Sequence, residues 1–201
     1  AICTWSDESG NAAHFTEATN KPLLKKAANG INGHNVLRFD GSNDVMTCAK
    51  ELSALISASA DTIYIVFRIF AITTDNASGY NDGAFLHGNR AICFRTSTGI
   101  NAVIYDTSFK LAAKAISTST AYISRSRHSS GTLYIRINGD AEGSVAAGNV
   151  AALTSAPKLA RDAFGSVAQI DLAEVIIFNS ALSADSMAIV DAYLKAKYAT
   201  Y

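Results

Sequence analysis

The stretch Thr62-Ile-Tyr-Ile-Val-Phe-Arg-Ile-Phe70 decides the fold. Side chains of an extended strand alternate between its two faces, so Ile63, Ile65, Phe67 and Ile69 share one face and Tyr64, Val66, Arg68 and Phe70 the other. Both faces are rich in large apolar groups, which places the strand inside a packed sheet and not at an open edge.

Downstream, residues 73–82 hold Asp75, Asn76, Ser78, Gly79, Asn81 and Asp82 and read as a polar loop with turn chemistry throughout. Short strands follow at 84–87, 91–95 and 101–105, separated by Gly88-Asn89 and by Thr96-Ser-Thr-Gly99. Such short connections belong to an antiparallel meander, because a parallel crossover needs about a dozen or more residues. Strands at 121–126 and 132–137 come next, the second with Leu133, Ile135 and Ile137 facing one way. Asn138-Gly139 predicts a type I′ hairpin turn, whose two central residues both need positive φ, and a return strand over 143–147.

Upstream, Val36-Leu-Arg-Phe-Asp40, the turn Gly41-Ser-Asn-Asp44 and Val45-Met-Thr-Cys48 read as a hairpin. Residues 50–60 suit a short helical turn around Leu52, Leu55 and Ile56. Residues 1–35 show no sustained period and form an irregular leading segment holding Trp5, the sole tryptophan. Trp5 has two readings: an anchor that pins this segment to the core, or an aromatic platform for a sugar ring.

At the other end, residues 168–198 read as one long apolar strand, a short turn and a helix. Ser183 caps the helix, Asp185 lies at the positive end of its dipole, and Lys195 and Lys197 lie at the negative end. Met187, Val190, Leu194 and Tyr198 form the apolar stripe, widened by Ile189 and Tyr193. Many short antiparallel strands with one terminal helix predict an all-β, two-sheet jelly-roll sandwich spanning 1–201 as a single domain.

Composition narrows the function classes. With 201 residues, 49% of them hydrophobic, the chain can bury a core without disulfides or metals. Its 17 basic and 17 acidic side chains cancel, and no basic stripe marks a nucleic-acid surface. No apolar run approaches the roughly 20 residues that span a bilayer, so membrane insertion is not expected. The N-terminus lacks the basic-then-apolar layout of a signal peptide. Cys3, Cys48 and Cys93 are expected as buried thiols, since their spacing matches no metal site.

Several pieces in order carry a resemblance: Trp5-Ser-Asp-Glu-Ser-Gly-Asn11, Pro22, Asn32-Gly33, Val36-Leu-Arg-Phe-Asp-Gly-Ser-Asn-Asp44, Ile137-Asn-Gly139, Ala173-Glu-Val-Ile-Ile-Phe-Asn-Ser-Ala-Leu-Ser183 and Tyr193-Leu-Lys-Ala-Lys-Tyr198. Together they resemble the LamG-like jelly-roll domains of the concanavalin A-like lectin/glucanase superfamily. The resemblance implies two curved antiparallel sheets, termini near each other, and a last helix against one edge or end. That superfamily holds lectins, adhesion modules, glucan hydrolases, polysaccharide lyases and parts of viral particles, so the fold alone names no activity.

Glucan hydrolases of that superfamily carry a Glu-x-Asp-x-(x)-Glu strand, and retaining hydrolysis needs two carboxyls about 5–5.5 Å apart. Gln169-Ile-Asp-Leu-Ala-Glu174 comes near, but an amide at Gln169 cannot be the nucleophile, so no catalytic residue is assigned. Simple alternation would set Glu174 beside Leu172 and Ile176 unless a bulge shifts the register. Glu174 is therefore expected as a hydrogen-bonded structural carboxylate near the sheet's end. His14, His34, His87 and His128 lack ligand spacing and are expected in loops or at the surface. No Gly-x-Ser-x-Gly elbow or phosphate cradle is present.

Ligand-binding candidates are Tyr80, Asn81 and Asp82, then His87, Asn89 and Arg90, and Tyr105 with Asp106, each group joining a ring or a cation to polar side chains beside a loop. No cofactor is required. Calcium has oxygen donors of suitable hardness in Asp40, Asn43 and Asp44 or in Asp75, Asn81 and Asp82, although turns collect these residues for their own reasons. The leading expectation is a non-catalytic, lectin-like binding or adhesion module that meets a glycan or a protein partner. The alternative is a structural component of a virus particle that contacts capsid or tail proteins, and a glycoside hydrolase or polysaccharide lyase comes third. Either of the first two places the chain at a cell surface or in a virion.

Overall fold

A computed structural model of the protein describes residues 1–72, 82–85, 89–96, 99–161 and 167–201. Along them run β1 (Thr4–Trp5), β2 (Phe15–Thr16), β3 (Leu23–Lys25), β4 (Val36–Asp40), β5 (Met46–Cys48), β6 (Asp61–Ile72), β7 (Asp82–Phe85) and β8 (Arg90–Thr96). They continue with β9 (Gly99–Tyr105), β10 (Phe109–Ala115), β11 (Ala121–Ser129), β12 (Thr132–Ile137), β13 (Gly143–Ala146), β14 (Lys158–Leu159), β15 (Ala168–Phe178) and the helix α1 (Ala184–Tyr198). The strands form one eight-stranded sheet, β1-β2-β5-β14-β7-β8-β9-β10, and one seven-stranded sheet, β13-β12-β11-β6-β15-β4-β3.

The long strand behaves as its alternation requires. In β6, Ile63, Ile65, Phe67 and Ile69 enter the apolar layer between the sheets, where they meet Phe85, Ile92, Phe94 and Ile104 from the eight-stranded sheet. Each such fully buried side chain contributes about 1.5–3 kcal/mol. Tyr64 and Val66 point the other way, into a second layer closed by Leu194 and Tyr198 of α1. The helix therefore lies across the outer face of the seven-stranded sheet and not at its edge. Its buried stripe is narrow, for Ile189 is 71% and Tyr193 46% exposed. Ser183 caps it as expected, accepting a 3.2 Å bond from the Ser186 amide.

Three local expectations are corrected. Val36–Asp40 and the strand after it form no hairpin: β4 pairs with β15 and β5 with β2 and β14, in opposite sheets. Gly41 makes this crossing at φ 75°, and a Cβ there would lie 2.9 Å from Gln169. The type I′ geometry falls at Ser130-Gly131 (φ 50° and 74°), where β11 turns directly into β12. At Asn138-Gly139 only Asn138 has positive φ. Its amide donates to the Ile123 carbonyl and its Oδ1 accepts from the Ile123 amide at 3.0 Å, so it extends the β11–β12 ladder instead of ending it. Residues 1–35 also hold more order than their composition signals, because β1, β2 and β3 extend the sheet edges. Over 50–60 a single 3-10 turn forms at Leu52–Ala54.

Candidate functional site

The near-match to glycosidase chemistry comes apart in three dimensions. Asp171 is fully buried on the outer face of the seven-stranded sheet, gripped by Arg38 (Nε 2.6 Å, Nη2 2.8 Å) from β4 and Arg68 (Nη2 2.5 Å) from β6. Both guanidinium groups flank the Phe70 ring, at 4.8 and 5.2 Å from its centre. Glu174 accepts from the Tyr193 hydroxyl (3.0 Å), the Tyr198 hydroxyl (2.8 Å) and Lys197 Nζ (3.0 Å), all on α1. A register shift between Leu172 and Glu174 moves the carboxylate onto the helix side while Leu172 stays in the core. The bulge and the hydrogen bonding match the sequence reading, but Glu174 lies in the middle of β15 and not near the sheet's end. Burial, reinforced by the Glu174 carboxylate, pushes the Tyr198 hydroxyl well above its usual range. Each carboxylate thus has its own set of partners.

Of the ring candidates Tyr105 stands at the turn between β9 and β10, where it meets Phe109, a ring that sequence reasoning did not single out. Tyr105 and Phe109 face each other across that turn with centroids 5.1 Å apart and planes at 64°, and Phe109 is 38% exposed. An edge-to-face pair of this kind holds its rings in place through their quadrupoles. Asp106 fixes the turn by accepting from the amides of Thr107, Ser108 (3.1 Å) and Gly148 (2.8 Å). Those amides, with Lys110 at 4.0 Å adding a smaller share, hold its carboxyl well below the usual range. Asn89 enters from the start of β8, its carbonyl accepting from the Tyr105 amide at 2.8 Å, and the Ala151 amide donates to the Tyr105 carbonyl at 2.9 Å.

Arg90 does not join this surface. It turns inward across the sandwich and donates to Asp61 (Nε 3.0 Å, Nη2 2.6 Å) and to Ser126 Oγ (2.8 Å), with both charged side chains fully buried. The reason is strand alternation: Ile92 and Phe94 face the core, so Arg90 must as well. Tyr80, Asn81, His87 and Asp75 lie outside the described residues, as does the side chain of Asp82, whose backbone starts β7.

The first calcium candidate is a turn. Asp40 Oδ1 accepts from the amides of Ser42 (2.8 Å), Asn43 and Asp44, while Asp44 Oδ2 accepts from the Asp40 amide (2.9 Å). Burial raises the Asp44 carboxyl. For Asp40 burial acts in the same direction, but the three amides outweigh it and the net shift is down. These lone pairs stabilise the crossing between sheets. Among the described residues no group of three His, Cys, Asp or Glu side chains could hold a metal ion.

Sequence reasoning missed the polar interior. Ser124, Ser126 and His128 of β11 face inward beside Asp61 and Arg90, and His128 is buried where a loop or surface position was expected. Continuing the alternation past residue 126 would have placed His128 on the inner face, opposite Asp61. Cys3, expected buried, is exposed, whereas Cys48 and Cys93 are buried.

No protein family matches the chain, and no curated protein does. Solved structures share its fold. One is domain 4 of AbnA, a GH43 extracellular arabinanase from Geobacillus stearothermophilus in complex with arabinotriose (14% identity, TM-score 0.62, covering 92% of each chain). Another is the binding domain of Paraclostridial Mosquitocidal Protein 1 (15% identity, TM-score 0.60, 96% of this chain and 52% of that one). A third is Trypanosoma rangeli sialidase in complex with the inhibitor DANA (10% identity, TM-score 0.63, 95% of this chain and 31% of that one). The chain spans about half the length of the toxin binding domains it matches, 51–52%. At these identities the likeness is one of fold, a β-sandwich with jelly-roll character.

Proposed function

We propose that the chain is a non-catalytic carbohydrate-binding module of the LamG-like, concanavalin A-like type, which receives a glycan on the Tyr105 and Phe109 rings. The observation that carries this reading is the edge-to-face pair of the half-buried Tyr105 and the exposed Phe109 at the β9–β10 turn, locked by Asp106 and flanked by Asn89. Preset rings offer apolar area to the C–H face of a sugar at little entropic cost, and the exposed Ser108 in the same turn carries a hydroxyl that can both donate and accept. Asp82 stands opposite Phe94, which stands opposite Ile100 at the start of β9, so Asp82 lies at the far end of the strands from this turn and outside the proposed surface, while Tyr80, Asn81 and His87 lie outside the described residues.

The fold likeness supports the reading, since one neighbour is described in complex with arabinotriose and another as a toxin binding domain with sialylT. The occupied state of Asp171 and Glu174 supports the non-catalytic part.

Glycan-array screening followed by calorimetry tests it. The expected result is saturable binding to at least one oligosaccharide, weakened at least tenfold by Tyr105→Ala with Phe109→Ala while the thermal transition stays within a few degrees of the parent. No binding across the array would refute the proposal. So would polysaccharide turnover that disappears in Asp171→Asn or Glu174→Gln.

A further inference from the structure

At the opposite edge of the eight-stranded sheet, β1 and the leading segment leave a cleft of about 220 Å³ against the seven-stranded sheet. Trp5, Thr4, Leu24 and Asn35 line it together with Leu37 and Ala173. No Asp, Glu, Lys or Arg contributes to this lining among the described residues. Trp5 packs on Phe15 with centroids 6.4 Å apart and against the main core, yet remains half-buried, so one part of the indole anchors β1 and another part lines the cleft. Leu24 is 43% exposed, and Asn35 and Thr4 are exposed as well.

We infer that this cleft is a second binding site, for a single uncharged sugar ring such as the terminal unit of a neutral glycan. Its volume sets the size, because sites that engulf larger organic ligands run from about 300 to 1,000 Å³. The lining sets the chemistry. An aromatic wall and an aliphatic floor of Leu37 and Ala173 match the apolar face of a sugar, while the Asn35 amide and Thr4 hydroxyl match its hydroxyl groups. An anionic sugar would bury its charge here without a cationic partner, which costs several kcal/mol. Six strand spacings separate β1 from β9 in the sheet order, roughly 30 Å at about 4.8 Å each. One glycan chain reaching both sites would gain from effective concentration without any new contact.

The ligand class rests on the carbohydrate reading above, but the site can be tested separately because Trp5 is the only tryptophan. Its fluorescence reports on the cleft and not on Tyr105. The whole chain is titrated with methyl glucopyranoside, methyl galactopyranoside and L-arabinose, with glucuronate as the charged control. The expected result is a saturable change in Trp5 emission with at least one neutral sugar, at a Kd on the order of millimolar. Leu24→Arg, which closes the mouth, should weaken it at least tenfold, and Asn35→Ala several-fold. Since Asn35 is exposed, its variant keeps the test valid should Leu24→Arg fail to fold. The Tyr105→Ala, Phe109→Ala protein should give the same Trp5 response as the parent, so loss of sugar binding at one site is distinguished from loss at the other. The inference is overturned by no saturable response to any neutral sugar, by an unchanged response in both cleft variants, or by preference for glucuronate. Binding of the apolar dye anilinonaphthalene sulfonate that no sugar displaces would also overturn it, marking the cleft as an apolar docking groove.

Discussion

Asp171 and Glu174 lie three residues apart in one strand, and their environments predict different responses to mutation. Asp171 is fully buried and shared by two arginines, so Asp171→Ala strands two partly covered cations and should cost about 3–5 kcal/mol in urea unfolding. Glu174 is more open and keeps a hydrogen-bonding amide in Glu174→Gln, so that change should cost only about 1–2 kcal/mol. Equal losses would contradict this ordering. The sequence showed part of the difference. A carboxylate misplaced by simple alternation implied a bulge, and the bulge is there. The partners of Asp171 were not legible, because Arg38 and Arg68 stand 133 and 103 residues away and no local pattern encodes such a pairing. Arg90 was misread for a related reason: beside Asn89 it looks like a loop cation, and only the phase of β8 reveals that it faces Asp61.

Elements were read more securely where their signals are local. The helix was legible through its cap and terminal charges, and its buried stripe through Leu194 and Tyr198. Its width was overestimated, since periodicity cannot say how far a helix sinks into the sheet beneath it. Leu194→Ala should cost about 2–5 kcal/mol, whereas Ile189→Lys should change stability by less than about 0.5 kcal/mol. Ser183→Ala should remove about 1 kcal/mol by freeing the Ser186 amide. Thermal melts of the three variants check this order, and a large loss at Ile189 would refute it. The turn signal at Asn138-Gly139 misled because the asparagine serves a backbone ladder through its side chain, a use that composition does not distinguish from a hairpin.

At the scale of the whole molecule, the sandwich class was legible from strand number and spacing, but the division of strands between sheets was not. A short turn such as Gly41–Asp44 can join neighbours or cross layers, and the difference lies in the fit of Gly41 against Gln169. The polar layer inside the sandwich predicts a response to acid. Burial lowers the pKa of His128, with the Arg90 charge acting the same way and Asp61 opposing both. The folded state therefore keeps the ring neutral while the unfolded chain takes up a proton near pH 6.5. Stability should be fully present above that pH and decline as pH falls through 6.5 toward the lower folded value. His128→Phe should flatten this slope between pH 5 and 7, and urea midpoints that keep the parental slope would refute the assignment. The position of β15 carries a consequence for synthesis. It is the wedge between β4 and β6, yet it begins 128 residues after β4 ends and 96 after β6 ends. On the ribosome both older strands wait with bare backbone edges until residue 168 emerges, so nascent chains stopped before that point should be captured by chaperones or aggregate, while longer ones escape.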